Sequence, residues 1–524
     1  MANFYVILIA LVVALGGFVY GVDSGSTNLS LNAKRGFAAD ESVVGIIATT
    51  LNHDTFKHCM LGPTGVNAPL TGAIVSLYNV GQAVGTFAAG YSANRFSRRR
   101  TICASAVIAI LGATLQCAAV NPGMMIAGRL FAGMGCGIIL TIVPIYIAEV
   151  SPPKQRGMIV GLQGFMIAIG FFAANWIGYG GAYAKGDAQW RIPLAMQIPG
   201  PLALAIGCCF VPYSPRWLIQ QERYEEARVV LTAIHGNSHD NDDVVGQELA
   251  HIRAQIHVEA TQVTSFRLAV TNLLSRRYLH RTLMACFILV MGQFSGSSVI
   301  QNYQGSFYAA VGFTGKTSLL ISGIYGLMGV LGQEIYLFIA ADKWPRTRTL
   351  WVGSVFLSIM IAICMALSAS YGSASSGNIS GSRAAIAMIF LYSCGYAVFF
   401  NATIWVVPSE LFPFFLRSTG MGLAVFSKAV AAIILSQITP TALQNVGWRY
   451  YSLFIASNFV AAFVYFFLLP ETGGKSLEEI AELFGDALAS EPSHKINAEE
   501  AVPSREQAEL ESKKPEPSHL EKIV

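Results

Sequence analysis

The chain has 524 residues, 53% hydrophobic and only 12% charged, with a formal net charge of +4. A soluble domain carries about 25% charged residues, so the composition argues against a string of soluble domains and for one integral membrane body, and the small net charge gives no footing for a nucleic-acid partner. The nine cysteines include no CxxC pair and mostly lie inside apolar runs, as Cys208 and Cys209 do, which reads as small buried side chains rather than a metal or disulfide framework.

A helix needs roughly 20 apolar residues to cross a bilayer. The first such run, 4–23, lacks a basic leader and is followed by many others, so it is expected to be a retained helix and not a signal peptide. The polar stretch behind it contains "HDTFKH" (His53–His58), read as a plain loop because no third metal ligand is apparent. Further spans are expected at 70–93, 101–120, 124–147, 158–180 and 191–212. The polar stretch 213–279 contains "QERYEEARVVLTAI" and "GQELAHIRAQI", whose helical periodicity with charged faces predicts short amphipathic helices. Spans resume at 280–310, 317–341, 349–370, 383–407, 415–438 and 449–469. From about Asp486 the chain is rich in Glu, Lys, Ser and Pro, a composition expected to stay disordered.

The pattern is an all-α membrane protein of about twelve helices in two pseudo-symmetric bundles of about six. It divides into a first bundle over 1–212, a linker over 213–279, a second bundle over 280–484 and a tail over 485–524. The basic loops "NRFSRRR" (Asn94–Arg100) and "KWPRTR" (Lys343–Arg348) place those loops, the linker and both termini in the cytoplasm. The sequons at Asn28 and Asn378 then fall outside, where glycosylation is open to them, whereas the one at Asn401 lies within a span and is discounted. "GYSANRFSRRR" from Gly90 and "ADKWPRTR" from Ala341 recur about 250 residues apart at equivalent places, which suggests an internal duplication. Gly81, Gly85 and Gly90 share one helix face, as do Gly133 and Gly137, and small residues so spaced let helices pack closely in lipid.

Six stretches in order resemble the sugar porter family of the major facilitator superfamily, particularly its fungal members: "GGFVYGVDSG" (Gly16–Gly25), "GRLFAGMGCG" (Gly128–Gly137), "PIYIAEVSPPKQRG" (Pro144–Gly157), "PYSPRWL" (Pro212–Leu218), "PSELFPFFLRSTG" (Pro408–Gly420) and "PETGGKSLEEI" (Pro470–Ile480). The resemblance covers roughly residues 10–484. It implies a twelve-helix carrier with a central cavity opening alternately to each side, most simply a proton-coupled symporter for a hexose, disaccharide, polyol or sugar acid. The same resemblance implies a plasma-membrane protein, active as a monomer, with no cofactor beyond the proton gradient. It also leaves room for a relative moving or exporting a non-sugar metabolite, or for a non-transporting nutrient sensor. No nucleophile–base pair, metal cluster or phosphate loop suggests an enzyme.

Carried over residue by residue, the resemblance makes Asp23 the proton-coupling carboxylate with Arg129 as its partner. An intramembrane Asp beside an Arg is ionised until a proton neutralises it and frees the Arg. A static pair that fixes helix packing is the alternative. Glu149, Arg156, Glu410 and Arg417 match the family's cytoplasmic charge network, with Arg95, Arg99, Asp342 and Arg346 in the same gate. Tyr20 and Gln163 match pocket positions of the first half. In the second half Gln293 matches, but Gly292, Ser298 and Asn302 replace a Gln, an Asn and a Tyr. On the tenth helix Phe400, Asn401 and Ala402 replace a Trp-Gly-Pro ahead of Trp405, and on the eleventh Lys428 and Ala429 replace an amide and a Trp. In the loops, Asn94 and Tyr213 replace acidic residues. The substrate-binding candidates are therefore Tyr20, Gln163, Gln293, Ser298, Asn302, Asn401, Trp405 and Lys428, and the changes point away from a plain glucose pocket.

Lys428, inside "AVFSKAVAAI" (Ala424–Ile433), is the oddest of these. A Lys at the centre of a span costs about 2.5–3.5 kcal/mol on insertion scales. Three readings stay open. It faces the cavity and binds an anionic group, it pairs with Glu334 of "GQEIYLF", or it lies near water and is neutral at rest.

Overall fold

The computed structural model describes residues 4–24, 68–152, 155–181, 183–235, 245–250, 252–254, 266–302, 308, 315–371, 379–475, 479, 480 and 484. Asn28, Asn378, the "HDTFKH" loop and the tail lie outside them. In the first half the helices are α1 (Phe4–Ser24), α2 (Ala68–Phe96), α3 (Arg98–Cys117), α4 (Pro122–Val150), α5 (Arg156–Gly181), α6 (Ala188–Ala195) and α7 (Pro199–Gly207). Two helices of the expected linker follow, α8 (Pro215–Gln220) and α9 (Tyr224–His235), and then α10 (Phe266–Leu273). The second half contains α11 (Leu279–Phe294), α12 (Ser297–Asn302), α13 (Gly315–Ile335), α14 (Arg346–Tyr371), α15 (Ile379–Tyr396), α16 (Thr403–Leu411), α17 (Phe414–Asn445) and α18 (Tyr451–Leu468).

Among the described residues, 10 helices are long and apolar enough to cross a membrane. The expected second span is also one long helix, α2, but it carries too many polar side chains to count by hydropathy alone. The expected helix over 191–212 is instead the pair α6 and α7. Pro193, Pro199 and Pro201 remove backbone donors there, and the chain turns at 196–198. The expected span 280–310 is likewise broken, between α11 and α12, at Gly296, whose φ of +97° is left-handed and suits a residue without Cβ. The break exposes the Ser295 carbonyl, which accepts from the Tyr392 hydroxyl at 3.0 Å and from Asn458 Nδ2 at 3.1 Å. Two five-residue π-helical segments, Tyr336–Ala340 after α13 and Ala397–Asn401 after α15, were not expected from the sequence.

The outward side chains suit lipid. Phe459, Phe463, Phe466 and Phe467 of α18 are exposed, as are Leu327, Leu331, Ile335 and Phe338 around α13. Within the halves, α2 and α3 pack on α4, α1 on α5, α11 on α17 and α14 on α18. Between the halves, α2 meets α17 and α5 meets α13. In the linker, Ala227 of α9 and Ile252 bury against Trp217, Leu218 and Ile219.

Of the glycine faces read from the sequence, Gly81, Gly85, Gly133 and Gly137 lie where α2 and α4 cross, while the Gly90 carbonyl accepts from the Ser418 hydroxyl of α17. A Cβ on Gly133 would come 2.1 Å from the Tyr78 carbonyl oxygen, and one on Gly81 would come 2.4 Å from that of Leu130. The two backbones therefore approach as closely as van der Waals contact allows. Gly133→Ala is expected to lower the melting temperature of the purified protein, by an overpacking term of about 1–3 kcal/mol. Gly123→Ala, whose Cβ meets only Asn121 Oδ1 at 3.5 Å, is expected to leave it unchanged or raise it. Equal melting of the two variants would contradict the close crossing.

Candidate functional site

Between the halves lies a cavity. The first half gives its wall Tyr20 of α1, Tyr78 and Asn79 of α2, and Phe171 of α5. The second half gives Gln293 of α11, Ser297 and Gln301 of α12, Tyr325 of α13, and Asn401, Trp405 and Lys428. The irregular backbone segments set much of this wall. The break at Gly296 leaves Gln293, Ser297 and Gln301 at intervals of four, all on the cavity. The π segment at the end of α15 turns Asn401 inward, where its Nδ2 donates to the Gly164 carbonyl of the other half at 2.8 Å and to Gln333 Oε1 at 3.1 Å.

Five of the eight expected substrate contacts, Tyr20, Gln293, Asn401, Trp405 and Lys428, line this cavity. Gln163 does not. It is fully buried against Gly17 of α1, with an amide that hydrogen-bonds to no described residue. Of Ser298 and Asn302 only the backbone of α12 is described. Gln301, Ser297, Tyr78 and Phe171 were not anticipated.

Lys428 is 3% exposed and follows Met421, Ala424 and Val425 along the buried stripe of α17. Its Nζ donates to the Tyr20 hydroxyl at 2.8 Å and stands 4.6 Å from the centre of the Tyr20 ring and 5.6 Å from that of Trp405. No ion pair joins it to Glu334, so the pairing considered from sequence is not formed. The reason is position. Glu334 is half-buried between the lipid-facing Leu331, Ile335 and Phe338, six residues or about 9 Å from the basic-loop end of its span. Lys428 lies thirteen residues or about 20 Å from that end and faces inward.

Asp23 lies one helical turn beyond Tyr20 and is 4% exposed. The Cys136 thiol donates to its Oδ2 at 3.0 Å, and the fully buried Arg129 guanidinium lies within electrostatic reach. Arg129 and Cys136 are seven residues apart on one face of α4, and the Arg129 guanidinium is 5.4 Å from the centre of the Tyr78 ring. Lys428 is within electrostatic reach of Cys136, so the coupling candidates and the cavity cation share one field.

At the basic-loop end the halves are locked together. Glu149, second from the end of α4, accepts from Arg98 Nη2 at 3.2 Å and from the Ser214 hydroxyl at 2.5 Å, and Arg417 of the other half reaches it at 3.9 Å. Glu410, second from the end of α16, pairs with Arg346, the first residue of α14. Arg98 is the first residue of α3, so the two halves repeat the same device. The first-half partner is therefore Arg98 and not Arg95 or Arg99. Arg95 is exposed, and Arg99 donates to the Cys209 carbonyl at 2.7 Å with its guanidinium 5.0 Å from the Tyr213 ring centre.

Three further contacts cross between the halves. Asp342 accepts from the Met158 backbone N–H at 3.1 Å, so a carboxylate of one half caps α5 of the other, where the helix dipole favours negative charge. A Cβ on Gly157 would lie 2.4 Å from the Ala341 carbonyl oxygen, which shows how tightly the two loops meet. Arg156 Nη1 donates to the Lys475 carbonyl at 3.4 Å. Glu471, an unexpected participant, caps α14 through the backbone N–H groups of Arg346 at 2.9 Å and Thr347 at 3.1 Å and the Thr347 hydroxyl at 2.6 Å. Burial alone would raise the Glu471 carboxyl, but these bonds and one from the Gly473 N–H outweigh it and hold it below the usual carboxylate range.

Glu149→Gln removes the counter-charge of Arg98, and breaking a buried pair from one side costs about 3–5 kcal/mol. The variant is expected to melt well below wild type, and Glu149→Gln combined with Arg98→Met to recover part of the loss. A single variant that melts like wild type would overturn the lock. A depressed carboxyl stabilises above its unfolded value of about 4.3 and stops doing so as pH falls through the folded one. Glu471→Gln is therefore expected to melt lower than wild type at neutral pH, with the gap closing as the buffer is taken below pH of about 4.

Known proteins resemble this chain in sequence and in fold. The MFS-type transporter criB of Aspergillus cristatus is 32% identical over 475 residues, covering 91% of this chain and 92% of that protein. A quinate permease of Neurospora africana is 31% identical over 469 residues (86% and 87%), and a high-affinity glucose transporter of Kluyveromyces lactis 28% over 458 residues (84% and 82%). The structure of the proton:xylose symporter XylE bound to 6-bromo-6-deoxy-D-glucose superposes with a TM-score of 0.78 at 21% identity, covering 92% of this chain and all of that one. The inward-open XylE from E. coli gives 0.65 at 22% identity, covering 91% and 100%. The family described as "Sugar (and other) transporter" matches residues 9–484, and with the helical fold and central cavity above it the chain belongs to that family of membrane transporters.

Proposed function

We propose that this chain is a proton-coupled symporter that carries a small polyhydroxylated solute across the plasma membrane by alternating access, as a monomer and without a cofactor. The observation that carries the reading is the placement of Asp23. It is a buried carboxylate in the field of Arg129, one helical turn from Tyr20 on the cavity wall. Buried ionisable groups inside a span are rare and belong to substrate or proton pathways. Protonation of Asp23 removes the negative charge facing Arg129, loosens α1 from α4, and so reports proton binding to a helix that also touches the solute. The lock at the basic-loop end is the other half of the cycle. While Glu149, Asp342 and the Lys475 carbonyl hold Arg417, the start of α5 and Arg156 across the halves, the cavity is shut on that side. Opening there requires these bonds to break together. The names of the relatives supply the first solutes to try, glucose and quinate.

The test uses the purified protein in proteoliposomes with an imposed inward proton gradient and labelled solute. Wild type is expected to accumulate solute against its own gradient. Asp23→Asn is expected to lose the uphill accumulation, because a carrier that binds no proton there cannot draw on the proton gradient, while retaining exchange of labelled for unlabelled solute. Uphill accumulation that survives Asp23→Asn would sink the coupling role.

A further inference from the structure

Lys428 is the only charged side chain among the described residues that line the cavity. It is 3% exposed, and its contacts are a phenol oxygen and two ring faces. None of them carries a negative charge. Glu334 lies at another depth on a lipid-facing stripe, and Asp23 is engaged by the Cys136 thiol in the field of Arg129. Cation–π contacts and a neutral hydrogen bond return only part of what an ammonium loses on leaving water. The empty cavity therefore keeps a desolvated positive charge, aimed at the space the solute occupies.

We infer that the solute is an anion, a small polyhydroxylated monocarboxylate whose carboxylate is held by Lys428 Nζ together with the Tyr20 hydroxyl. The inference rests on the transport reading above, of which it names the substrate class. A carboxylate placed there exchanges the neutral phenol partner for a charge-assisted bond, the stronger kind and one that gains further where water is excluded. The Tyr20 hydroxyl, no longer needed as the sole acceptor for the ammonium, turns to donate to the same carboxylate. The rest of the wall is suited to hydroxyl groups. Gln293, Ser297, Gln301, Ser393 and Asn401 bring amides and hydroxyls to the same cavity as Lys428, and Trp405 brings a ring. Because Lys428 belongs to the second half and Tyr20 to the first, one carboxylate contacts both halves at once and helps draw the cavity closed around it.

The experiment compares matched acid and neutral solutes: D-glucuronate against D-glucose, and quinate against myo-inositol. Each is measured by thermal stabilisation of the detergent-purified full chain and by counterflow in proteoliposomes. Wild type is expected to respond to at least one acid at a concentration tenfold or more below that needed for its neutral partner. Lys428→Gln is expected to weaken the acid by about 10- to 100-fold, the worth of one hydrogen bond to a charged group, and Lys428→Arg to keep part of it. A neutral partner that acts as well as its acid, an acid advantage that survives Lys428→Gln, or no acid response at all would each overturn the inference. Should Lys428→Gln fail to fold, the wild-type pairs decide alone. Proton-driven uptake of a neutral solute that depends on Asp23 would overturn the anion class and leave the transport reading standing. Acid stabilisation lost in Lys428→Gln, with no counterflow of any solute, would uphold the anion site and overturn the transport reading.

Discussion

Glu149 and Glu410 each stand one residue from the end of a helix, and each is met by an Arg that begins another helix. Much of the architecture follows from that arrangement. A guanidinium or carboxylate shut away from water is destabilising by several kcal/mol unless its partner is close and well aligned, so the ends of α3 and α4, and of α14 and α16, are held in fixed relation by charges that have nowhere else to go. Glu149 is also met from the opposite half, and a further carboxylate crosses the other way. Arg417 comes to Glu149, and Asp342 comes to the exposed N–H groups of α5. Each half is held at this end by its own buried pair and joined to the other through Arg417, Asp342 and Arg156.

The broad architecture was readable because lipid permits so few alternatives. Apolar runs of roughly 20 residues and six family stretches lead to helices and family together. The deviations are local, and each had a signal that hydropathy averaging hides. Three prolines between 193 and 201 split the expected helix over 191–212 into α6 and α7, although its mean apolarity favours one span. Gly296 falls inside the run expected to be one span over 280–310, yet it is the left-handed joint that divides α11 from α12. The π segments at Tyr336–Ala340 and Ala397–Asn401 leave no trace in periodicity, since a single extra residue per turn is set by neighbours and not by composition.

At the site, side chains distinctive by type reach the expected place more often than side chains that had to be chosen among equals. Tyr20, Gln293, Asn401, Trp405 and Lys428 all reach the cavity. "NRFSRRR" offers four arginines, and the resemblance favoured Arg95 and Arg99, whereas Arg98 is the one that meets Glu149. Helix phase held the answer. Arg98, Thr101, Ile102, Ser105, Ala106 and Ala109 form the buried stripe of α3, and Arg99 and Arg100 fall outside it. Gln163 shows the opposite limit, a residue of the expected type that α1 closes over at Gly17. Cys136 shows another, because nothing in a thiol within a glycine-rich run announces that it donates to Asp23. The relation of Glu334 to Lys428 depended on depth and rotation together, and only coordinates supply both.

The solute class inferred for the Lys428 cavity also bears on how the membrane voltage acts. With Asp23 ionised, Arg129 and Lys428 leave the empty centre with an excess positive charge. Loading a proton and a neutral sugar would add to it, so the inward step would carry current and be driven by the potential. Loading a proton and a carboxylate leaves the total unchanged, and the loaded and empty forms cross the field carrying the same charge. Such a carrier is electrically silent. It draws on the pH difference and the solute gradient and not on the voltage, so it keeps working in a depolarised cell, provided the outside stays acid.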